Sequence, residues 1–142
     1  MEDKRNEKDA AAVAAQVMAR MNAEDRFCQL CGIELTKVVP GRAEGRMTLT
    51  ELLWNGLRAA QGGAIFTLAD FTFAGAANSY GRHCVVQCAS INFLRPGLGK
   101  ELRAEAEIRF VGRRTCFGDV SIVSDEGKLV AQGQYTGCFV GE

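Results

Sequence analysis

The stretch GGAIFTLADFTFAGAAN, residues 62–78, is an apolar segment of helical length that contains no proline. It starts at a glycine pair and is followed by Gly81, and glycines in such positions often flank a helix. Its large apolar side chains surround the expected axis instead of marking one stripe, which is typical of a helix buried on nearly all sides. These side chains are Ile65, Phe66, Leu68, Phe71 and Phe73. The segment therefore predicts a buried helix at the centre of the fold.

Asp70 is the only charged residue from Ala59 through Gly81. A chain buries an unpaired charge only at a cost of several kcal/mol, so this carboxylate needs either a partner or a chemical task. The positions three, four and seven residues away along the helix are small, namely Gly63, Thr67, Ala74 and Ala77. With Phe66, Phe71 and Phe73 expected elsewhere around the axis, this pattern predicts a space beside Asp70 for a substrate atom or a water.

The head of the same helix offers hydrogen-bond donors. The N–H groups at Gly62 and Gly63 lack intrahelical partners, carry the positive end of the helix dipole and could polarise a carbonyl oxygen. A carboxylate about two turns further on could then act on the same carbonyl carbon or on a water beside it, which is acyl-transfer chemistry. The residues alone leave a structural alternative open: Asp70 could bind a loop amide or a partner's side chain, and the glycine pair could be a simple turn.

The rest of the chain predicts a second helix and a sheet. Residues 9–25 are rich in alanine and methionine and contain no glycine or proline, which favours a surface helix. Residues 32–50 predict two strands around a Pro40-Gly41 turn, with one face exposed to water. Further strands, of which the last three or four are expected to form a meander, are predicted at 83–94, 101–111, 115–127 and 128–140. The predicted fold class is α+β, with an antiparallel sheet wrapped around one long buried central helix and with an N-terminal helix.

Composition excludes several classes of function. The 142 residues include 17 Lys and Arg against 17 Asp and Glu, so no basic surface for nucleic acid is expected. No apolar run is long enough to cross a bilayer, and the first ten residues lack the apolar core of a signal peptide, so we expect a cytoplasmic protein without a membrane partner. We predict a flexible charged N-terminus over residues 1–8 and a single domain over residues 9–142.

The cysteines and the histidine do not indicate a cofactor. The six cysteines are scattered, and free thiols are expected in the cytoplasm. The single C-x-x-C, Cys28 to Cys31, cannot complete a tetrahedral zinc site by itself and lacks the βαβ surroundings of a thioredoxin. The only histidine, His83, begins a predicted strand and is expected at the surface. We therefore expect no metal and no other cofactor.

The predicted central helix also indicates a partner. One small sheet cannot cover a helix that is apolar all round, and the uncovered surface would exceed what soluble monomers usually tolerate. We therefore expect a homo-oligomer, either a dimer or a dimer of dimers.

A series of motifs in a fixed order resembles one known family, the hotdog-fold acyl-CoA thioesterases of the phenylacetate-pathway (PaaI-like) type. The resemblance runs from about residue 30 to the end of the chain. The motifs are Asn55-Gly56, Gln61-Gly62-Gly63, Leu68-Ala69-Asp70, Asn78-Ser79-Tyr80-Gly81 and Phe93-Leu94-Arg95-Pro96-Gly97.

This resemblance implies hydrolysis of an acyl-CoA thioester to a free acid and coenzyme A, with coenzyme A as part of the substrate. It implies Asp70 as general base or nucleophile, the Gly62 N–H as oxyanion donor, and Asn55 as a group that orients water or substrate. The site would lie between subunits, with Asp70 from one and Asn55, Gln61 and Gly62 from the other. The family usually has histidine where this chain has Gln61, and glutamine can position a substrate but cannot titrate near neutrality.

The remaining substrate contacts are expected from arginines and apolar residues. The phosphates of coenzyme A suit Arg95, Arg113 and Arg114. Gly63 and Thr67 lie on the Asp70 stripe, and the acyl group is expected to be aromatic or of medium chain length. Its pocket is predicted to involve Trp54, Leu57, Phe66 and Phe73. The alternatives are a non-catalytic acyl-CoA binding protein or sensor, and a hotdog dehydratase, which would need a histidine paired with the aspartate.

Overall fold

The computed structural model describes residues 2–141, and of Glu2 only the backbone. The elements are α1 Glu2–Glu24, α2 Arg26–Leu30, β1 Ile33–Val39, β2 Arg42–Thr48, α3 Gly62–Asn78, β3 His83–Phe93, β4 Glu101–Val111, β5 Thr115–Ser124 and β6 Leu129–Val140, with a short 3-10 turn at Glu51–Leu53.

The predicted central helix is confirmed with the predicted bounds. Helix α3 begins at Gly62, where the Gln61 side chain caps it, and ends at Asn78. Ser79 closes the last turn by donating its hydroxyl to the Ala76 carbonyl at 2.6 Å, and Gly81 then turns the chain with a φ of +87°. Ten residues of α3 are buried, which is the core position that its apolar composition predicts.

The six strands form one antiparallel sheet in the order β1-β2-β4-β5-β6-β3. The hairpin around Pro40-Gly41 is confirmed, and β2 alternates between buried and exposed residues. The meander comprises the last three strands only. Strand β3 pairs with β6 at the far edge, because the connection over residues 94–100 contains Pro96 and Gly99 at a φ of +101° and is too long for a hairpin turn.

The sheet wraps closely around α3 because small residues lie where the two meet. A side chain at Gly45 of β2 would collide with the Thr72 hydroxyl, and one at Gly75 of α3 would lie 3.0 Å from Leu35. The result is the hotdog arrangement that the resemblance implied, with one helix enclosed by a curved sheet.

The N-terminal helix is longer than predicted. Residues 2–8, which we expected to be a flexible tail, continue α1 upstream of residue 9, because they contain no glycine or proline to end it. The first and last residues of the chain lie outside the described part. The helix is held at its other end by Asn22, whose amide donates to the Leu35 carbonyl at 2.9 Å and accepts from the Leu35 N–H at 2.8 Å. This pair of bonds fixes α1 on β1.

Between residues 2 and 141, no helix is both long enough and apolar enough to cross a membrane.

Candidate active site

Asp70 lies in the middle of α3 and is half-buried. Burial raises the pKa of its carboxyl group above the ordinary range, and the negative charge of Asp25 raises it further. Asp25 precedes α2 and caps it through a 2.9 Å bond from the Cys28 N–H. The N-terminal helices thus bring a second acidic group towards Asp70, which the sequence analysis missed because it assigned residues 9–25 to a single surface helix.

The small stripe beside Asp70 is largely as predicted. Gly63, Thr67 and Ala74 lie with Asp70 on the less buried side of α3, and nothing lies within 4 Å of the place where a side chain would stand at Gly63. Ala77 is buried, so the open part of the stripe ends before it. The Thr67 hydroxyl donates to the Gly63 carbonyl at 2.9 Å and is therefore occupied within the helix.

The expectation that the phenylalanines lie elsewhere around the axis was wrong for Phe66 and Phe73. Phe66 and Phe73 precede and follow Asp70 by four and three residues, which places all three on one side of an α-helix. Both rings contact Tyr135 of β6. The centroid of the Tyr135 ring lies 5.9 Å from that of Phe66 and 5.3 Å from that of Phe73. Phe73 is fully buried and belongs to the core, whereas Phe66 is half-buried and can contact a ligand. The alternation of β6 could have predicted that Tyr135 faces the helix.

At the head of α3, the Gly62 N–H donates to the side-chain oxygen of Gln61 at 3.0 Å. The amides of Ala64 and Ile65 donate to the Gln61 carbonyl at 2.9 and 3.1 Å. Gln61 is exposed, so another oxygen can replace its side chain at the Gly62 N–H. The structure thus gives Gln61 a capping contact that the sequence did not predict.

Asn55 organises the loop before α3. Its side-chain oxygen accepts from the Leu57 N–H at 2.8 Å and the Ala59 N–H at 3.2 Å, and its own N–H donates to the Ala59 carbonyl at 2.7 Å. These bonds hold Arg58 at a φ of +61°, a conformation that costs an L-residue energy and persists only where its surroundings enforce it. Asn55 therefore shapes the loop, and its side-chain oxygen is already engaged.

Asn55, Gly62 and Arg95 line one cleft of about 480 Å³. Its walls are mainly apolar, and the Phe93 ring lies 3.5 Å from the place where a side chain at Gly62 would begin. Leu57 lines the cleft and is 89% exposed. Arg95 donates to the Leu129 carbonyl at 2.8 Å and is exposed to solvent. Trp54 is also exposed but does not line the cleft.

Asp70 does not line this cleft. Asp70 and Gly62 are eight residues apart on one helix, which corresponds to about 12 Å along its axis. A reacting carbonyl must lie about 3 Å from both its oxyanion donor and its attacking group. Within one chain, Gly62 and Asp70 therefore cannot act on the same carbonyl.

Arg113 and Arg114 lie far from the cleft of their own chain. They precede β5, whose first residue pairs with Cys138 near the end of β6, whereas the cleft lies at the start of β6 and the end of β3. Arg82 donates to the Arg113 carbonyl at 2.7 Å, which ties the two segments together at this end of the sheet. The full length of β3, roughly 35 Å, separates the two ends.

All six cysteines are free, as predicted, and His83 is exposed at the start of β3. Cys28 is buried, and desolvation together with the Asp25 charge raises the pKa of its thiol, so this thiol is unreactive. Cys84 and Cys116 lie 3.7 Å apart across Gly137 of the intervening strand. Residues 2–141 contain no group of three or more acidic, histidine or cysteine side chains that could hold a metal ion.

The fold and the helix-head cleft define a class of hotdog protein, and comparison with known proteins agrees. Residues 60–131 match the model of the Thioesterase superfamily. The chain is 38% identical over 112 residues to the acyl-coenzyme A thioesterase PaaI of Escherichia coli, covering 78% of this chain and 80% of that protein.

Solved structures give the same assignment. The E. coli PaaI structure superposes with a TM-score of 0.89 at 34% identity, covering 92% of this chain and 96% of that one. A thioesterase protein of Streptococcus pneumoniae solved with coenzyme A superposes with a TM-score of 0.73 at 30% identity. The match covers 78% of this chain and 87% of that one. The chain belongs to the thioesterase superfamily, among the hotdog-fold enzymes related to PaaI.

Proposed function

We propose that this chain hydrolyses acyl-CoA thioesters to a free acid and coenzyme A, at a site formed between two copies. The observation that carries the proposal is the 12 Å separation of the Gly62 donor and the Asp70 carboxylate along one partly open helix face. The E. coli relative bears the name of an acyl-coenzyme A thioesterase, and the S. pneumoniae relative was solved with coenzyme A.

Two features support the pairing of copies. Strand β3 is eleven residues long, lies at a sheet edge and carries no charge from Cys84 to Phe93. Proteins normally block or pair such an edge, because its free N–H and C=O groups recruit another strand. The small residues Gly63, Thr67 and Ala74 let a second α3 approach closely. In an antiparallel pair, Gly62 of one copy then faces Asp70 of the other.

In the proposed mechanism, the thioester carbonyl oxygen displaces the Gln61 side chain and accepts a hydrogen bond from the Gly62 N–H. Asp70 of the other copy takes a proton from a water as that water attacks the carbonyl carbon. The tetrahedral intermediate then expels the coenzyme A thiolate and leaves the free acid. The raised pKa of Asp70 suits a general base, because a stronger base accepts the proton more readily. Direct attack by the carboxylate, with hydrolysis of the resulting anhydride, uses the same residues.

The same pairing brings the binding residues together. Arg95 stands at the rim of the cleft for a phosphate of coenzyme A, and antiparallel β3 strands bring Arg113 and Arg114 of the other copy towards it. The acyl group, aromatic or of medium length, packs on Phe66 and the apolar cleft walls. Asn55 shapes the loop that supports the substrate, and Gly63 leaves room for it.

The test is turnover of a panel of acyl-CoA thioesters, followed by the ultraviolet absorbance of the thioester. Thiol reagents are unsuitable because Cys88 is exposed. We expect Asp70→Asn to keep the fold and to lower kcat by at least about two orders of magnitude, whereas Asp9→Asn on the exposed face of α1 serves as a matched control. Tight binding of acyl-CoA without turnover by the wild-type protein would instead identify a binding protein or sensor.

A further inference from the structure

The hydroxyl group of Tyr135 is buried without a hydrogen-bond partner among residues 2–141. Tyr135 is 0% exposed and is one of the largest fully buried side chains in the protein. A buried polar group without a partner destabilises a fold, so each case calls for a physical explanation. Phenylalanine would fill the same space without this cost.

The ring of Tyr135 is held firmly. Phe73 stacks on it at an interplanar angle of 25°, and Phe66 packs against it at 48°. These contacts restrict the movement of the ring. Its position relative to α3 is therefore fixed by the aromatic cluster of Phe66, Phe73 and Tyr135.

That cluster lies beside Asp70. Phe66 and Phe73 are one turn before and one turn after it on the same helix side, so a ring that contacts both spans the position of Asp70. Burial raises the pKa of Tyr135 and the charge of Asp70 raises it further, which keeps the phenol protonated as a donor. Among residues 2–141, Asp25 and Cys28 also interact electrostatically with Asp70, and neither has a hydroxyl group.

We propose that Tyr135 is a positioning residue for Asp70. Its hydroxyl donates a hydrogen bond to the Asp70 carboxylate and holds that carboxylate in line for reaction. The two groups make no hydrogen bond in this structure, so one side chain must move to form it. Tyr135 is clamped and Asp70 has an open side, so the carboxylate is the group that turns. The unpartnered hydroxyl is then kept for the ionised Asp70 carboxylate and not for stability, so a titration of the free protein reports the bond. This inference rests on the proposed function for its catalytic consequence, but the contact itself can be measured without turnover.

The test compares Tyr135→Phe, which removes only the hydroxyl, with Tyr80→Phe, which alters the chain's other tyrosine at the far end of α3. The Asp70 carboxyl group is titrated by carbon NMR on protein labelled at aspartate, with Asp70→Asn identifying its signal. We expect Tyr135→Phe to raise the pKa of Asp70 by about one to two units, because a donor to the charged form is lost, and Tyr80→Phe to leave it in place. The pKa that defines the acid limb of the pH profile of kcat/KM should rise by the same amount. We expect kcat to fall about tenfold to hundredfold while KM changes less than about threefold.

An unchanged Asp70 titration in Tyr135→Phe overturns the inference, whatever happens to kcat. Loss of folding stability with an unmoved acid limb also overturns it, since that result assigns the hydroxyl a purely structural role. If the wild-type protein turns over no thioester but its Asp70 titration responds to Tyr135→Phe, the proposed function fails and the positioning contact stands.

Discussion

Replacing Gly62 by proline tests the oxyanion donor by removing a single N–H group. The structure allows this change, because Gly62 is the first residue of α3, where proline is well tolerated. Gln61 has a φ of −60° and a ψ of 136°, the extended conformation that a residue before proline prefers. A side chain at Gly62 would meet only the Phe93 ring, at 3.5–3.8 Å, which is ordinary contact. The matched comparison is Gly62→Ala, which adds a side chain and keeps the N–H.

We expect kcat of Gly62→Pro to lie about 10²- to 10³-fold below that of Gly62→Ala, the typical effect of losing one oxyanion donor. The same substitution should change the free energy of unfolding by less than about 1 kcal/mol relative to glycine, because proline restricts the unfolded chain but removes the bond to the Gln61 side chain. The measurements are steady-state hydrolysis followed by thioester absorbance, and urea unfolding. A well-folded Gly62→Pro protein with kcat within about threefold of Gly62→Ala would refute the role of this N–H.

Three further predictions concern the same site. If the site is shared, an exchanged equal mixture of inactive Asp70→Asn and Gly62→Pro chains should recover about a quarter of wild-type activity. Half of the dimers are then mixed, and each mixed dimer carries one intact site of two. No recovery, despite subunit exchange shown by native mass spectrometry, would place both groups in one chain. The pKa of Asp70 is raised in the folded state, so ionisation of this group destabilises the fold. Asp70→Asn should therefore be more stable than wild type at neutral pH, and this gain should vanish as the pH falls below the ordinary carboxyl range near 4. Unfolding curves measured across pH would check this. Gln61→Glu should lower kcat at least about tenfold, because a carboxylate competes for the Gly62 N–H and repels the oxyanion. The melting temperature should not fall, because an acidic group is favourable at the N-terminus of α3. An unchanged kcat would show that this side chain can leave the Gly62 N–H without slowing the reaction.

The sequence by itself determined the elements whose signals are local. The apolar run with flanking glycines defined α3 as Gly62–Asn78, and strict alternation defined β4 as Glu101–Val111. These features depend on periodicity and on turn residues, which act over a few positions. The isolation of Asp70 and the glycine pair at the helix head were visible for the same reason.

Only the tertiary structure decided which of these features meet. Nothing in the periodicity indicates that β3 leaves the meander for the far edge, or that Asp25 acts on the pKa of Asp70 from the junction of α1 and α2. The contact of Tyr135 with both Phe66 and Phe73 depends on how β6 passes over α3, and the 12 Å between Gly62 and Asp70 becomes a constraint only once both are on one straight helix. Contacts between residues distant in the chain follow from how the sheet closes around the helix, and no short stretch of sequence contains that information.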